Sequence, residues 1–130
     1  PQLLEAFLKP LIDAGVDAFH RSQQRFWEPE FDDSDMNLAG WVKKLTGMPT
    51  ITVGSVSLDQ DFVSQPSEGD GATSEPASID RLLEMMDRGD FDLVAVGRAL
   101  IANPDWPKVV RSGDTSALQA YNKDLLAELA

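Results

Sequence analysis

Two short glycine-containing segments combine residue types that bind anions. Gly54-Ser55-Val56 and Gly97-Arg98 each follow a short apolar run. Glycine lets backbone N–H groups approach a ligand closely, and amides at the start of a helix carry partial positive charge that suits a phosphate. The guanidinium of Arg98 adds a full charge and forked donors that match phosphate oxygens. Together the two segments predict a phosphate site, whereas either one alone predicts only a turn or a surface ion pair.

The residue types do not indicate thiol, metal or histidine chemistry. The chain has no cysteine, which excludes disulfides and thiolate catalysis, and its single histidine, His20, excludes a His-rich metal site. We expect no metal site, and we interpret His20 as structural because a lone histidine needs positioned partners for acid–base catalysis. Trp27 follows the same apolar run as His20, and we expect it to pack within a loop. Trp41 and Trp106 are expected in the core or at an interface.

Charge and hydropathy exclude several classes of partner. The net charge of −11 repels nucleic acid and anionic membranes, and the few basic residues form no stripe. No apolar run approaches the roughly 20 residues that span a bilayer, and the first residues do not resemble a signal peptide. We expect a cytoplasmic protein without nucleic-acid or membrane partners. The chain opens in a helical pattern without methionine, which fits a part of something longer or, equally, removal of the methionine by processing.

The residues that could bind phosphate lie at the ends of predicted parallel strands. Short apolar runs bounded by turn residues predict strands at 16–20, 50–53 and 92–96. Apolar residues at helical spacing predict a helix before each strand, and a glycine follows each helix. The helices are predicted at 3–12 before Gly15, at 38–45 before Gly47 and at 79–86 before Gly89. Pro10 predicts a kink or restart in the first helix, and Ser78 is the predicted N-cap of the third.

Repeated helix–strand alternation predicts the α/β class, with parallel strands and helical crossovers. Residues 98–103 predict a short helix that ends before Pro104, and 117–129 predict an amphipathic helix at the end of the chain. The stretch from about 58 to 77 is rich in acidic and turn-forming residues, and we expect a flexible surface loop there. A sheet of only three parallel strands leaves both edges unpaired, so partner strands or self-association are expected.

At these strand ends the chain resembles the Old Yellow Enzyme family of NADH:flavin oxidoreductases. The resemblance rests on residues 50–56, TITVGSV, and 92–106, DLVAVGRALIANPDW, with a weaker likeness at 14–22. It implies the last three β/α units of a (β/α)8 TIM barrel spanning residues 1–130. In that family the matching segments hold the phosphate of FMN. Carried over, the backbone amides of Gly54, Ser55, Val56 and Gly97 and the guanidinium of Arg98 would bind it.

The resemblance also implies what this chain lacks. Family members reduce activated alkenes with NADH or NADPH as reductant, and they take the substrate-binding pair and the proton-donating tyrosine from earlier strands. None of those strands is present, and Tyr121 lies too far along the chain to serve as that donor. We therefore expect no catalytic residue here and no activity from the chain alone. Two alternatives stay open: another phosphate-binding barrel enzyme without FMN, and a non-catalytic, self-associating partial barrel.

Overall fold

The structure, a computed structural model, describes residues 1–59 and 74–128. Its helices and strands follow one another along the chain as α1 Gln2–Asp13, β1 Phe19–Ser22, α2 Leu38–Thr46, β2 Thr50–Val53, α3 Asp80–Asp87, β3 Leu93–Val94, α4 Arg98–Ala102, α5 Trp106–Ser112 and a 3-10 helix at Lys123–Glu128. Within these ranges, no helix combines the length and the apolar character that a membrane crossing requires.

The three strands form one parallel sheet in the order β1-β2-β3. Helix α2 connects the first pair of strands, and α3 lies between the second pair. The predicted α/β class with parallel strands and helical crossovers is therefore confirmed. The second strand has the predicted bounds, while β1 begins at Phe19 instead of residue 16 and β3 contains only Leu93 and Val94.

The chain divides into two compact units, which are described separately. Unit 1 comprises Pro1–Gly54 and Asp80–Ala95, and unit 2 comprises Ser55–Ile79 and Val96–Ala130. In unit 1, the fully buried side chains of Leu8, Phe19 and Val42 form the centre of a core. These residues come from α1, β1 and α2, so burial of their apolar surface holds both helices against the sheet.

Helix α1 continues through Pro10, so the predicted restart does not occur. A proline inside a helix removes one backbone hydrogen bond. Leu4, Leu8 and Leu11 lie on the face that packs in the core, on both sides of the proline. We attribute the continuity of α1 to this packing. Gly15, with φ 93°, follows the C-cap Ala14 as predicted.

The ends of α2 are fixed by residues suited to those positions. The side chain of Asn37, the N-cap, accepts a hydrogen bond of 2.8 Å from the backbone N–H of Gly40. Gly47 ends the helix in the left-handed conformation, with φ 68°, as its sequence position predicted. Helix α3 begins at Asp80, so the predicted N-cap Ser78 is wrong by position and lies two residues ahead of the helix.

Unit 2 has its own core, formed by the buried side chains of Leu58, Ala99 and Tyr121. Tyr121 pairs with Ser74 in an antiparallel bridge, with N···O distances of 2.8 and 2.9 Å in the two directions. A residue whose N–H and C=O both pair with another segment cannot use them in a helix. The predicted helix over 117–129 is therefore wrong, and within the described residues 117–128 the regular structure is a 3-10 helix at Lys123–Glu128.

The predicted flexible loop over about 58–77 is described only at its two flanks. Leu58 bridges Pro76, and the backbone N–H of Asp59 donates to the carbonyl of Glu75 at 3.1 Å. Residues 60–73 lie outside the described residues, and flexibility of this loop stays a prediction.

Candidate functional site

The residues of the predicted phosphate site follow two strands that pair in unit 1. Thr52 of β2 is in register with Val94 of β3, and the backbone N–H of Ala95 donates to the carbonyl of Thr52 at 2.9 Å. The two strands run parallel, so their carboxyl ends lie at the same edge of the sheet. Ligands of parallel α/β folds bind at this edge.

Gly54 ends the first segment of unit 1, and backbone contacts within the protein explain why this residue is glycine. Its φ is 149°, and a Cβ placed on it would lie 2.3 Å from the carbonyl oxygen of Gln23. The Gly54 carbonyl also accepts a hydrogen bond of 3.1 Å from the backbone N–H of Phe26. Close approach of two backbone segments therefore requires glycine here, whether or not a ligand binds.

The loop that continues from Gly54 lies in unit 2 and has an unusual backbone. Ser55 and Ser57 have positive φ values of 52° and 61°, whereas Val56 between them does not. Residues in the left-handed conformation are one element of the backbone concavities that bind anions. Non-glycine residues with positive φ cost on the order of 1–3 kcal/mol each, and such strain is concentrated at functional sites.

Neighbouring bonds hold this strained loop in place. The N–H of Leu58 donates to the carbonyl of Ser55 at 3.1 Å and closes a turn. The carbonyl of Ser57 accepts from the N–H of Ala77 at 2.9 Å, and the Ser57 hydroxyl donates back to the Ala77 carbonyl at 3.4 Å. Val56, Ser57 and Leu58 are buried. The loop is therefore fixed by its own protein contacts before any ligand binds.

The guanidinium of Arg98 contacts this loop directly. One terminal nitrogen donates to the Ser55 hydroxyl at 3.2 Å, and the other donates to the Ser74 hydroxyl at 3.0 Å. The guanidinium carbon lies 5.7 Å from the ring centroid of Tyr121. Arg98 is half-buried, and the serines bound to it carry no formal charge. Two segments that the sequence identified separately thus meet within unit 2, through Ser55 and Arg98.

Gly97 precedes Arg98 and is the N-cap of α4, with no side-chain cap. A Cβ placed on it would meet no atom of the described residues within 4 Å. Unlike at Gly54, an added Cβ at this position would therefore meet no obstacle in the described part of the chain. The predicted short helix over 98–103 is confirmed as α4, Arg98–Ala102, with Asn103 as its C-cap.

Ser74 and Tyr121 belong to the surroundings of Arg98, although the sequence pattern did not identify them. Ser74 lies in a stretch that was interpreted only as loop, and Tyr121 lies in a segment that was predicted to be helical. Neither residue is part of a spaced motif, and contacts between distant segments, including the bridge between them, bring them to Arg98. Among the other candidates, His20 is exposed on β1, and Trp27 packs edge-on against Phe26 with ring centroids 5.1 Å apart.

Ion pairs in unit 1 shift the pKa values of several of its ionisable groups. The Lys43 ammonium, together with the Thr50 N–H, lowers the pKa of the Asp92 carboxyl. Arg88 bonds both Asp90, which is buried, and Asp35, and these carboxylates raise the pKa of its guanidinium. The Lys43–Asp92 and Arg88–Asp35 pairs connect segments of unit 1 that are far apart in sequence, whereas the Arg88–Asp90 pair is local. We assign these ion pairs no chemical role.

The parallel strands joined by helices define an α/β protein. The contact between Arg98 and Ser55 defines its candidate anion site. No protein-family model matches the chain. The chain is similar to an NADH oxidase of Thermoanaerobacter brockii, with 31% identity over 113 residues. The aligned region covers 81% of this chain but only 14% of that protein, so the chain spans a small part of the length of this relative.

Proposed function

We propose that the chain is part of an FMN-dependent NAD(P)H oxidoreductase of the Old Yellow Enzyme type and that it binds the phosphate of FMN. One observation carries the proposal: the Arg98 guanidinium donates to the Ser55 hydroxyl at 3.2 Å. This contact joins the segment after β2 to the segment after β3 in unit 2. The similarity to an NADH oxidase over 81% of the chain supports an enzyme of the same general chemistry.

The residues of unit 2 fit a phosphate monoester. Arg98 supplies charge and donors in a fork that matches phosphate oxygens. The loop Ser55–Ser57 supplies successive amides from a backbone of alternating φ, and Gly97 leaves space beside its own backbone. The amide of Gly54, the residue just before this loop in the sequence, is the further donor that the family resemblance implies. Binding there fixes one end of the cofactor, and the bound FMN supplies hydride transfer.

The proposed architecture is the last three β/α units of a (β/α)8 barrel. The sheet order β1-β2-β3 follows the chain order, as neighbouring strands of such a barrel do. In barrels of this type the last two loops and a short helix often form a phosphate site. Helix α4, which directly follows Gly97, corresponds to that short helix. The groups that bind the alkene and donate a proton would come from other strands.

Fluorescence anisotropy of flavins tests the proposal with the 130-residue chain itself. FMN and riboflavin, which lacks the phosphate, are each held at micromolar concentration while the chain is added. A phosphate site alone leaves most of the flavin uncovered, whereas complete cofactor sites bury 70–90% of the ligand. We therefore expect a dissociation constant for FMN of about 1 mM or weaker, and no response with riboflavin. Equal responses to the two flavins, or no response to FMN, would contradict the proposal.

Charge-matched variants locate the binding. Arg98→Ala should abolish the difference between FMN and riboflavin. Arg111→Ala removes the same charge from an exposed position of α5 in unit 2 and should leave the difference unchanged. Arg98→Lys retains the charge without the planar fork and should give an intermediate response. With FMN, NADPH and 2-cyclohexenone supplied, we expect no turnover by the chain alone.

Two alternative functions predict different experimental results. A phosphate-binding barrel enzyme without FMN predicts that a sugar phosphate competes more strongly than FMN does. A self-associating partial barrel is favoured by β1 and β3, which are the edges of the described sheet, and by Leu93, which is 58% exposed on β3. Light scattering during size-exclusion chromatography tests this second alternative, because it predicts a dimer or larger assembly.

A further inference from the structure

The side chain of Arg98 rests on two groups that are themselves buried. Ser74 is 0% exposed, and its hydroxyl lies 3.0 Å from one terminal nitrogen of the guanidinium. Tyr121 is 1% exposed, and its ring lies beneath the guanidinium carbon at 5.7 Å. An aromatic face attracts a cation at this distance. Arg98 itself is only half-buried, so these contacts hold the inner side of its guanidinium.

Both groups are fixed by the backbone of unit 2. The two hydrogen bonds between Ser74 and Tyr121 join distant parts of the sequence. Asn103 fastens the segment just before Tyr121, because its side chain donates to the carbonyl of Gln119 at 3.0 Å and accepts from the Gln119 N–H at 2.7 Å. The ring of Tyr121 also packs in the core with Leu58 and Ala99. Backbone hydrogen bonds and core packing therefore hold the surface that supports Arg98.

We propose that Tyr121 and Ser74 are positioning residues that hold the guanidinium of Arg98 in the orientation that binds phosphate. This inference rests on the proposed function. A free arginine side chain loses rotamer entropy when it binds a ligand, and a guanidinium that is already oriented loses less. The ring fixes the plane of the guanidinium, and the serine hydroxyl fixes its rotation within that plane. Neither residue needs to touch the phosphate.

The test compares Tyr121→Leu with Tyr121→Phe in the full 130-residue chain. Phenylalanine keeps the aromatic face, and leucine removes it. Inorganic phosphate is the probe, and its affinity is measured from the shifts of backbone amide signals in NMR spectra. We expect Tyr121→Leu to weaken phosphate binding about 3- to 10-fold and Tyr121→Phe to match the unmodified chain. Equal affinities in the leucine and phenylalanine variants would overturn the role of the ring.

A second measurement needs no ligand. The Nε–H signal of Arg98 should be sharp and exchange slowly in the unmodified chain, and it should broaden in Tyr121→Leu. Trp106→Leu is the control, because Trp106 packs on the same core and is not the ring beneath Arg98. This control should lower stability without changing the Arg98 signal. Broadening of the signal in Trp106→Leu to the same degree would show a general loosening and refute the inference.

Ser74→Ala provides an independent variant if Tyr121→Leu does not fold. It removes one hydroxyl and leaves the backbone bridge to Tyr121 in place, so we expect weaker phosphate binding and a broader Arg98 signal. Unchanged binding and an unchanged signal would refute the role of Ser74. The failures of the two proposals are distinguishable. If the unmodified chain binds neither phosphate nor FMN, the proposed function fails, while the Nε–H comparison still decides whether these residues position Arg98.

Discussion

Replacing Gly54 with alanine should destabilise unit 1 strongly. The added Cβ would lie 2.3 Å from the Gln23 carbonyl oxygen, 3.0 Å from its carbonyl carbon and 3.2 Å from the Phe26 nitrogen. All three atoms belong to the backbone, so no side-chain rotation relieves the contact. The N–H of Gln23 donates to the carbonyl of Val53 at 3.1 Å, and that of Phe26 donates to Gly54 at 3.1 Å. Separating the two segments would therefore break hydrogen bonds as well.

The size of the effect follows from two contributions. A non-glycine residue at the φ of 149° costs about 1–3 kcal/mol, and forcing atoms into a packed site costs roughly 1–3 kcal/mol more. We expect Gly54→Ala to lower the free energy of unfolding by about 2–6 kcal/mol, a large part of the roughly 5–15 kcal/mol typical of a domain. Gly47→Ala is the control, since φ there is also positive, at 68°, and no described atom lies within 4 Å of the added carbon.

Urea unfolding followed by circular dichroism measures both variants. The control should lose only the cost of the left-handed backbone, about 1–2 kcal/mol. The difference between the variants, about 1–3 kcal/mol, therefore isolates the collision with the Gln23 and Phe26 backbone. With a slope of roughly 1–3 kcal/mol per molar urea, the midpoints of the two variants should differ by about 1 M or more. A Gly54→Ala variant that unfolds at the same urea concentration as Gly47→Ala would refute the reasoning.

Two further predictions concern unit 1. Asn37 is fully buried, caps α2 and donates from one amide nitrogen to the Phe26 carbonyl and the Thr52 hydroxyl, so Asn37→Ala should cost about 2–4 kcal/mol in urea unfolding. Asn37→Asp keeps the cap but cannot donate when ionised, and a stability equal to that of the unmodified chain would contradict this account. Because Lys43 and the Thr50 N–H lower the pKa of Asp92, its stabilisation is present above the unfolded pKa of about 3.9 and is lost as pH falls through the lower folded pKa. Asp92→Asn should therefore make unfolding less dependent on pH below about pH 4, and an unchanged acid profile would show that this ion pair contributes nothing.

The strand and helix patterns of unit 1 could be read from local sequence. Residues 50–53 were predicted with the observed bounds because an apolar run between Pro49 and Gly54 has clear limits at both ends. Gly15 and Gly47 ended their helices as predicted, since a left-handed residue after a helix favours glycine. Of the kink or restart predicted at Pro10, the restart is wrong, because packing on both sides of the proline keeps α1 continuous.

The candidate site was only partly accessible to the same reasoning. Arg98 and Ser55 were identified from their positions after strands, and the structure brings their side chains together. The two glycines looked equivalent in the sequence, yet a Cβ at Gly54 collides with backbone while one at Gly97 meets none of the described atoms within 4 Å. Tyr121 was expected in a helix because the surrounding residues form an amphipathic helical pattern. Its backbone pairing with Ser74 overrides that local preference.

The sequence by itself determined the class of the fold and the order of its elements, because apolar periodicity and glycine stops act over a few residues. It also determined which residue carries the charge that suits a phosphate. Only the tertiary structure decided what surrounds that charge. Ser55, Ser74 and Tyr121 reach Arg98 from three separate parts of the chain, and contacts between distant segments depend on backbone pairing and core packing that leave no local pattern in the sequence.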